Sequence, residues 1–126
     1  MKRDPDLVRN ILLALENKAS SNDAVTAKKM MLDGWSEEEI NYHLLLLIEA
    51  GYIKGKDSSS DNRTIVFVTR LTWEGHEFLD AARDDRRWEK AKSAISKVGG
   101  WSFEVIKPIL VELAKDAIKA SLGLPN

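Results

Sequence analysis

The side chains with the clearest potential function lie between residues 36 and 70, and they are suited to binding. Asn41 and Tyr42 lie in a predicted helix, where an amide can pair with a base edge and a phenol can contact a phosphate. A predicted hairpin then carries four cations: Lys54, Lys56, Arg63 and Arg70. Because this hairpin has only two carboxylates, Asp57 and Asp61, its net charge is +2, which suits phosphate contacts.

The helix that carries Asn41 has the opposite charge. Glu37, Glu38 and Glu39 follow its start, where carboxylates stabilise the positive end of the helix dipole. The same carboxylates would repel DNA phosphates. We expect the outward side chains after the cap to be Glu38, Asn41, Tyr42 and Leu45. Any DNA contact is therefore expected mainly through the hairpin, although its lysines could equally serve to keep a solvated edge strand from aggregating.

Catalytic and metal chemistry find no support in the sequence. The chain has no Cys, and His76-Glu77 lacks the second His that a zinc-protease helix places four residues after the first. Carboxylate pairs such as Asp84-Asp85 have no nearby nucleophile or glycine-rich loop. We expect structural roles for both histidines, with His43 at the junction between helix and hairpin and His76 capping or packing at the start of the next helix. The prediction is a non-enzymatic protein with no catalytic residues, no metal and no cofactor.

The bulk composition is that of an ordinary globular protein. Its 126 residues suffice for one core plus an appendage, and 44% hydrophobic and 31% charged residues argue against disorder. The net charge of −1 argues against a protein that coats nucleic acid non-specifically. The N-terminus lacks the apolar run of a secretion signal, and no apolar run approaches a membrane span. We expect a cytoplasmic protein with no membrane contact.

Three helices are predicted before the hairpin. Asp4 caps the first, over about residues 4–17, with Pro5 at its first position. Residues 25–33 favour a short helix, but their alternation would also suit a strand. Ser36 and Glu39 form a capping box for a helix over 36–50, which Gly51 ends.

The second half of the chain is predicted to be helical. The hairpin covers residues 52–69, and a helix follows over about 72–98, capped by Thr72, as one bent helix or two. The pair Gly99-Gly100 ends it, and a final helix covers about 102–121, where Pro108 is expected to kink or restart it. This order predicts a mainly helical α+β protein: a winged helix-turn-helix core over 1–71, with a C-terminal helical extension over 72–126.

Three strings carry a resemblance to a known family. They are Met1-Lys2-Arg3-Asp4 with Asp6-Leu7-Val8-Arg9, then Tyr42-His43-Leu44 with Glu49-Ala50-Gly51, then Leu71-Thr72-Trp73-Glu74-Gly75-His76-Glu77-Phe78-Leu79-Asp80-Ala81-Ala82-Arg83-Asp84-Asp85. They resemble a winged-helix-like family of unknown function found in phages, prophages and bacterial genomes. The resemblance implies a fold and a mobile-element setting, but no activity. Relatives often look strand-like before the Gly-aromatic-Ser turn, whereas Lys28-Lys29-Met30-Met31 departs from that pattern.

Two functions are compatible with these patterns. The first is duplex DNA binding in phage or bacterial transcription regulation, through Asn41, Tyr42, Lys54, Lys56, Arg63 and Arg70. The second is a protein–protein adaptor that uses the acidic helix 36–50 to bind a host or phage protein, with no DNA binding. In either case the apolar stripe of the last helix, which lacks a basic face for anionic membranes, is expected to pack or form a homodimer.

Overall fold

The computed structural model describes residues 1–18, 23–97, 99 and 102–124. Over these residues the protein is a mainly helical α+β structure with a two-stranded antiparallel sheet. The elements are α1 (Pro5–Lys18), α2 (Ala27–Met30), α3 (Glu37–Ala50), β1 (Ile53–Asp57), β2 (Val66–Leu71), α4 (Trp73–Ala82), α5 (Asp85–Ser96) and α6 (Phe103–Ser121). They form two compact units, Met1–Glu77 and Phe78–Asn126, and the boundary between these units lies within α4.

The first helix begins at a dense junction around Asp4. Its Oδ1 accepts hydrogen bonds from the backbone N–H groups of Asp6 and Leu7, as expected for an N-cap. Its Oδ2 accepts a bond of 2.9 Å from Nε1 of Trp35, and its own backbone N–H donates to His43. Asp4 therefore joins α1 to α3 and to the turn before α3.

The segment 25–33 combines both of the structures that its sequence allows. Val25 exchanges two backbone hydrogen bonds of 2.8 Å with Val68, so it pairs with β2 on the edge away from β1. The chain then makes the single short helix α2, which ends at Met31 in a left-handed conformation. At the end of α1, Nζ of Lys18 donates to the carbonyls of Lys29 and Met30 in α2. The rest of the loop predicted between α1 and this segment lies outside the described residues.

The local signals of α3 are confirmed. Ser36 and Glu39 form both bonds of the capping box, and Gly51 ends the helix with a φ of 83°. Ile40, Leu44 and Leu47 of the predicted stripe are buried, and Ile48 is partly buried. These side chains pack in a core with residues from α1 and both strands: Leu7, Ile11, Leu12, Leu15, Ile53, Val66, Val68 and Leu71.

Gly75 allows α4 to lie against the start of the hairpin. A Cβ at this position would come within 2.0 Å of the carbonyl oxygen of Tyr52, so only glycine fits. Thr72 begins α4 as predicted, because its Oγ1 accepts from the backbone N–H of Gly75. The same hydroxyl donates to the carbonyl of Gly51 at 2.6 Å, which ties the start of α4 to the end of α3.

The second unit is built around Phe78 and Trp88. The predicted helix over 72–98 is two helices: α5 starts anew with Asp84 as its N-cap, bonded to the backbone N–H of Arg87. The ring of Phe78 makes edge contacts with Trp88 and with Phe103, at centroid distances of 6.5 and 4.8 Å. Ser102 caps α6, which continues through Pro108 without restarting. Val98, Gly100 and Trp101, which carried part of the prediction here, lie outside the described residues.

Candidate functional site

The hairpin presents three of the four predicted cations on one face. Its register pairs Lys54 with Arg70 and Lys56 with Phe67, while Ile53 is paired with Leu71. Ile53 and Leu71 are buried, whereas Lys54, Lys56 and Arg70 are exposed, and so is Phe67 with 40% of its surface accessible. We call Lys54, Lys56, Phe67 and Arg70 the outer face of the hairpin.

An irregular register keeps these side chains together. The pairing shifts between Lys54 and Gly55, so Thr69 has no partner in the ladder and forms a β-bulge. If the strand alternated regularly through Thr69, Arg70 would point away from the face that carries Phe67 and Lys56. Gly55 lies on the inner face against Ile48, and a Cβ there would approach the carbonyl oxygen of Phe67 to 2.6 Å. The bulge and the glycine together fix the outer face.

The cations of the outer face have no carboxylate partners among the described residues. Lys54 and Lys56 form no ion pair there, and Arg70 donates only to the neighbouring carbonyl of Leu71, at 3.2 Å. The carboxyl of Asp57, at the end of β1, is engaged locally, since hydrogen bonds from Ser59 lower its pKa below its usual value. Like charges directly opposite each other on a sheet are unfavourable, so this face would be stabilised by an anion.

Arg63 lies outside the paired strands, in the loop over residues 58–65. This loop is closed by backbone bonds between Ser60 and Arg63 and by a bond from Ser58 to Ile65. Arg63 is exposed and lines a cleft of about 190 Å³ with Lys28 of α2 and Glu37 of α3. The structure therefore separates the predicted DNA-binding residues into two groups.

The predicted outward position of Asn41 is wrong. Only 7% of its surface is accessible, because Thr64 of the loop crosses over it. Its Nδ2 donates to the Thr64 carbonyl at 3.1 Å, while its Oδ1 is buried and has no hydrogen-bond partner in the described part of the chain. Helical periodicity placed Asn41 on the outward side of α3, but it could not show that a distant loop covers this position.

The other positions of α3 that were predicted to face outward differ in their exposure. Glu37 and Glu38 are exposed, and they line a second cleft, of about 420 Å³, between α3 and residues 60–64. Tyr42 has 37% of its surface accessible, so it is available for contact as predicted, whereas Leu45 is half-buried. The accessible surface of this helix is thus acidic at its start, with one phenol a turn later.

The two histidines differ from their predicted positions. His43 is buried against the start of α1, not at the junction with the hairpin, because its Nε2 accepts from the backbone N–H of Asp4. His76 is exposed on α4, so its side chain neither caps nor packs at the helix start. Among the described residues, no group of three potential metal ligands lies close enough together to hold an ion.

Phe67 is the site residue that sequence reasoning missed. Its neighbours Val66 and Val68 are fully buried, so period-two alternation in the strand already placed Phe67 on the outward side. Phe67 also lines the smaller cleft, with Asn41 and Arg63. It therefore connects the outer face with the covered amide of Asn41.

A family model described as a hypothetical protein, DUF2513, matches residues 2–102. The chain belongs to the DUF2513 family. An uncharacterized protein of Haemophilus influenzae is 38% identical over 110 residues, which cover 86% of this chain and 92% of that relative. No solved structure matches the chain significantly.

The family match covers every element of the candidate site, from Asp4 and α3 to the hairpin. It agrees with the expected unknown function, and neither description names a ligand, a partner or a reaction. Within the described part of the chain, no helix has the length and apolar character needed to span a bilayer.

Proposed function

We propose that the DUF2513 chain is a winged helix-turn-helix protein. In this assignment α1, α2 and α3 are the three helices, with Val25 as the short first strand and β1–β2 as the wing. The support is the order of elements together with the pairing of Val25 to Val68, which makes β2 the central strand of a small three-stranded arrangement. In such a fold α3 would be the recognition helix.

We further propose that the protein binds duplex DNA, mainly through the outer face of the hairpin. The observation that carries this proposal is the pairing of Lys54 with Arg70 directly across the sheet. Two like charges in this position cost free energy, and a phosphate between them would remove the repulsion. Lys56 extends the cationic row, and Phe67 beside it could contact sugars or bases.

The acidic start of α3 sets the mode of binding. Glu37 and Glu38 would repel phosphates, so they cannot lie along the DNA backbone. Phosphate contact is therefore assigned to the hairpin, with Arg63 and Lys28 beside the cleft as further cations. Tyr42 is the exposed residue of α3 that can donate a hydrogen bond to DNA.

A homodimer formed through α6 would suit this function. Ile106 and Leu110 are buried in the second unit, but further along α6 the accessible surface rises to 59% at Ile118 and 67% at Leu122. A second copy covering this apolar end would present two hairpins related by two-fold symmetry to a palindromic site. A role in transcription would place the protein in the cytoplasm, and the Haemophilus influenzae relative supports a bacterial setting.

Charge reversal on the outer face tests the DNA-binding proposal. Fluorescence anisotropy with a labelled random-sequence duplex would compare the wild type with Lys54→Glu/Arg70→Glu. A matched control, Lys90→Glu/Lys97→Glu, changes the net charge equally at exposed positions in the second unit. We expect the outer-face variant to lose at least about tenfold in affinity and the control to lose little. Equal losses in both variants would contradict the assignment.

An adaptor function is the second candidate, favoured by the exposure of Glu37 and Glu38 without an ion pair among the described residues. It predicts no DNA binding and a discrete protein partner. Pull-down from a bacterial lysate with the wild type and Glu37→Lys/Glu38→Lys would separate the candidates. A partner that the wild type captures and the variant loses would support the adaptor, whereas identical recovery would oppose it.

A further inference from the structure

We propose that Asn41 reads adenine in the DNA major groove, after the loop segment Arg63–Thr64 has moved off its side chain. This inference rests on the proposed DNA-binding function and adds a residue that determines specificity. It starts from an incomplete hydrogen-bond arrangement. The amide of Asn41 is more than nine-tenths buried, yet among the described residues only its Nδ2 is bonded and its Oδ1 has no partner.

Adenine would satisfy this amide better than the loop does. The Thr64 carbonyl is an acceptor, so it can bond Nδ2 but can give nothing to Oδ1. The major-groove edge of adenine carries an acceptor at N7 and a donor at N6, which match both ends of an asparagine amide. Exchange of the loop for adenine therefore replaces one hydrogen bond with two and removes a buried unpaired acceptor.

The covering segment is placed so that it can move. Arg63 and Thr64 are exposed, and each lines both clefts, of about 190 and 420 Å³, so open space adjoins the segment. Among the described residues, the bond from Asn41 to Thr64 is the only hydrogen bond between residues 58–64 and α3. A phosphate that attracts Arg63 would pull this segment away from the helix.

The acidic residues beside Asn41 fit the same assignment. Within the major groove the only base donors are the amines of adenine and cytosine, and carboxylates can accept from the cytosine amine. Glu37, Glu38 and Asn41 all line the second cleft, and the carboxylates of Glu37 and Glu38 can only accept hydrogen bonds when ionised. A surface composed of acceptors suits base amines, provided that the hairpin cations carry the phosphate contacts.

Substituted duplexes test the inference on the wild-type protein. The probes are a short alternating adenine–thymine duplex and the same duplex with 7-deazaadenine in place of adenine. This replacement removes N7 but keeps the amine, the minor groove and all the phosphates. We expect the wild type to bind the unmodified duplex about five- to tenfold more tightly than the duplex with 7-deazaadenine.

The variant Asn41→Ala tests whether Asn41 causes the preference for the unmodified duplex. It should bind both duplexes equally, whereas the matched control Asn62→Ala, at an exposed position of the same loop, should discriminate as the wild type does. If Asn41→Ala fails to fold, the Asn41 side-chain amide resonances of the labelled wild type provide the second measurement. They should shift strongly with the unmodified duplex and weakly with the substituted one.

The possible results distinguish the role of Asn41 from the proposed DNA-binding function. Equal affinity of the wild type for the two duplexes overturns the role of Asn41 and leaves DNA binding by the hairpin intact. Discrimination that persists in Asn41→Ala also overturns it, because another residue then reads the base. Failure of the wild type to bind either duplex overturns the proposed function itself, and this inference with it.

Discussion

The backbone N–H of Asp4 donates a 2.9 Å hydrogen bond to Nε2 of His43, which is 39 residues away in sequence. On the other side of the ring, Nδ1 lies 2.8 Å from the carbonyl oxygen of Glu39. Because a backbone N–H can only donate and a carbonyl can only accept, the ring must carry its single proton on Nδ1. This bonded imidazole holds the start of α1 against α3.

Replacing His43 should therefore destabilise the first unit. His43→Ala removes both hydrogen bonds and leaves a cavity at a position with 1% accessible surface. We expect a loss of about 2–4 kcal/mol in the free energy of unfolding, measured with urea. His76→Ala is the control, and it should change stability by less than about 0.5 kcal/mol because His76 is exposed. Nitrogen NMR that finds the His43 proton on Nε2 would contradict the bonding scheme.

Gly75→Ala separates local propensity from packing. Inside a helix this substitution should stabilise by up to about 1 kcal/mol if propensity alone mattered. The new Cβ would instead meet the Tyr52 carbonyl oxygen at 2.0 Å, so α4 would have to move away from the hairpin. We expect destabilisation of about 3 kcal/mol, measured by thermal unfolding. An unchanged or higher melting temperature would show that α4 does not lie against Tyr52.

Acid should weaken the start of α5. The hydrogen bond from the backbone N–H of Arg87 holds the pKa of the Asp84 carboxyl below its usual value of 3.8. A lowered folded-state pKa stabilises the protein above the unfolded pKa, and this stabilisation disappears as the pH falls through the folded pKa. Asp84→Asn keeps a capping oxygen but cannot titrate. Its melting temperature should lie below that of the wild type at neutral pH and approach it in acid; a constant difference would contradict this.

The apolar end of α6 should determine the oligomeric state. Ile118→Lys/Leu122→Lys places charges on exposed apolar positions and should convert a dimer to a monomer without loss of helix content. Ala120→Lys, at another exposed position of α6, is the control and should remain dimeric. Sedimentation velocity distinguishes the species. A wild type that is monomeric at high concentration would exclude a dimer through this surface.

Short-range signals predicted much of this fold. The capping box of Ser36 and Glu39, the stop at Gly51 and the start of α4 at Thr72 depend on residues that are near in sequence, and all three are confirmed. Long-range contacts decided the rest. Val25 forms an isolated β-bridge because it pairs with Val68. No local pattern reports such a partner.

In the candidate site, too, short-range signals predicted some features and long-range contacts determined the others. The sequence placed the cations on a predicted hairpin, but only the bulge at Thr69 explains why Arg70 faces the same way as Lys54 and Lys56. Helical periodicity placed Asn41 on the outward side of α3, whereas the structure buries it. Its burial depends on Thr64, which is 23 residues further along the chain, and that contact could not be inferred from either segment alone.

The salt dependence of DNA affinity tests the central claim most directly. Each phosphate contact contributes about −0.9 to the slope of log K against log salt concentration. Replacing Lys54, Lys56 and Arg70 with Gln should therefore reduce the slope by about 2–3, whereas replacing Lys90, Lys97 and Lys119, which are exposed in the second unit, should leave it unchanged. A wild type that binds duplex DNA with a slope that the outer-face variant does not alter would contradict the claim, and so would a wild type that does not bind.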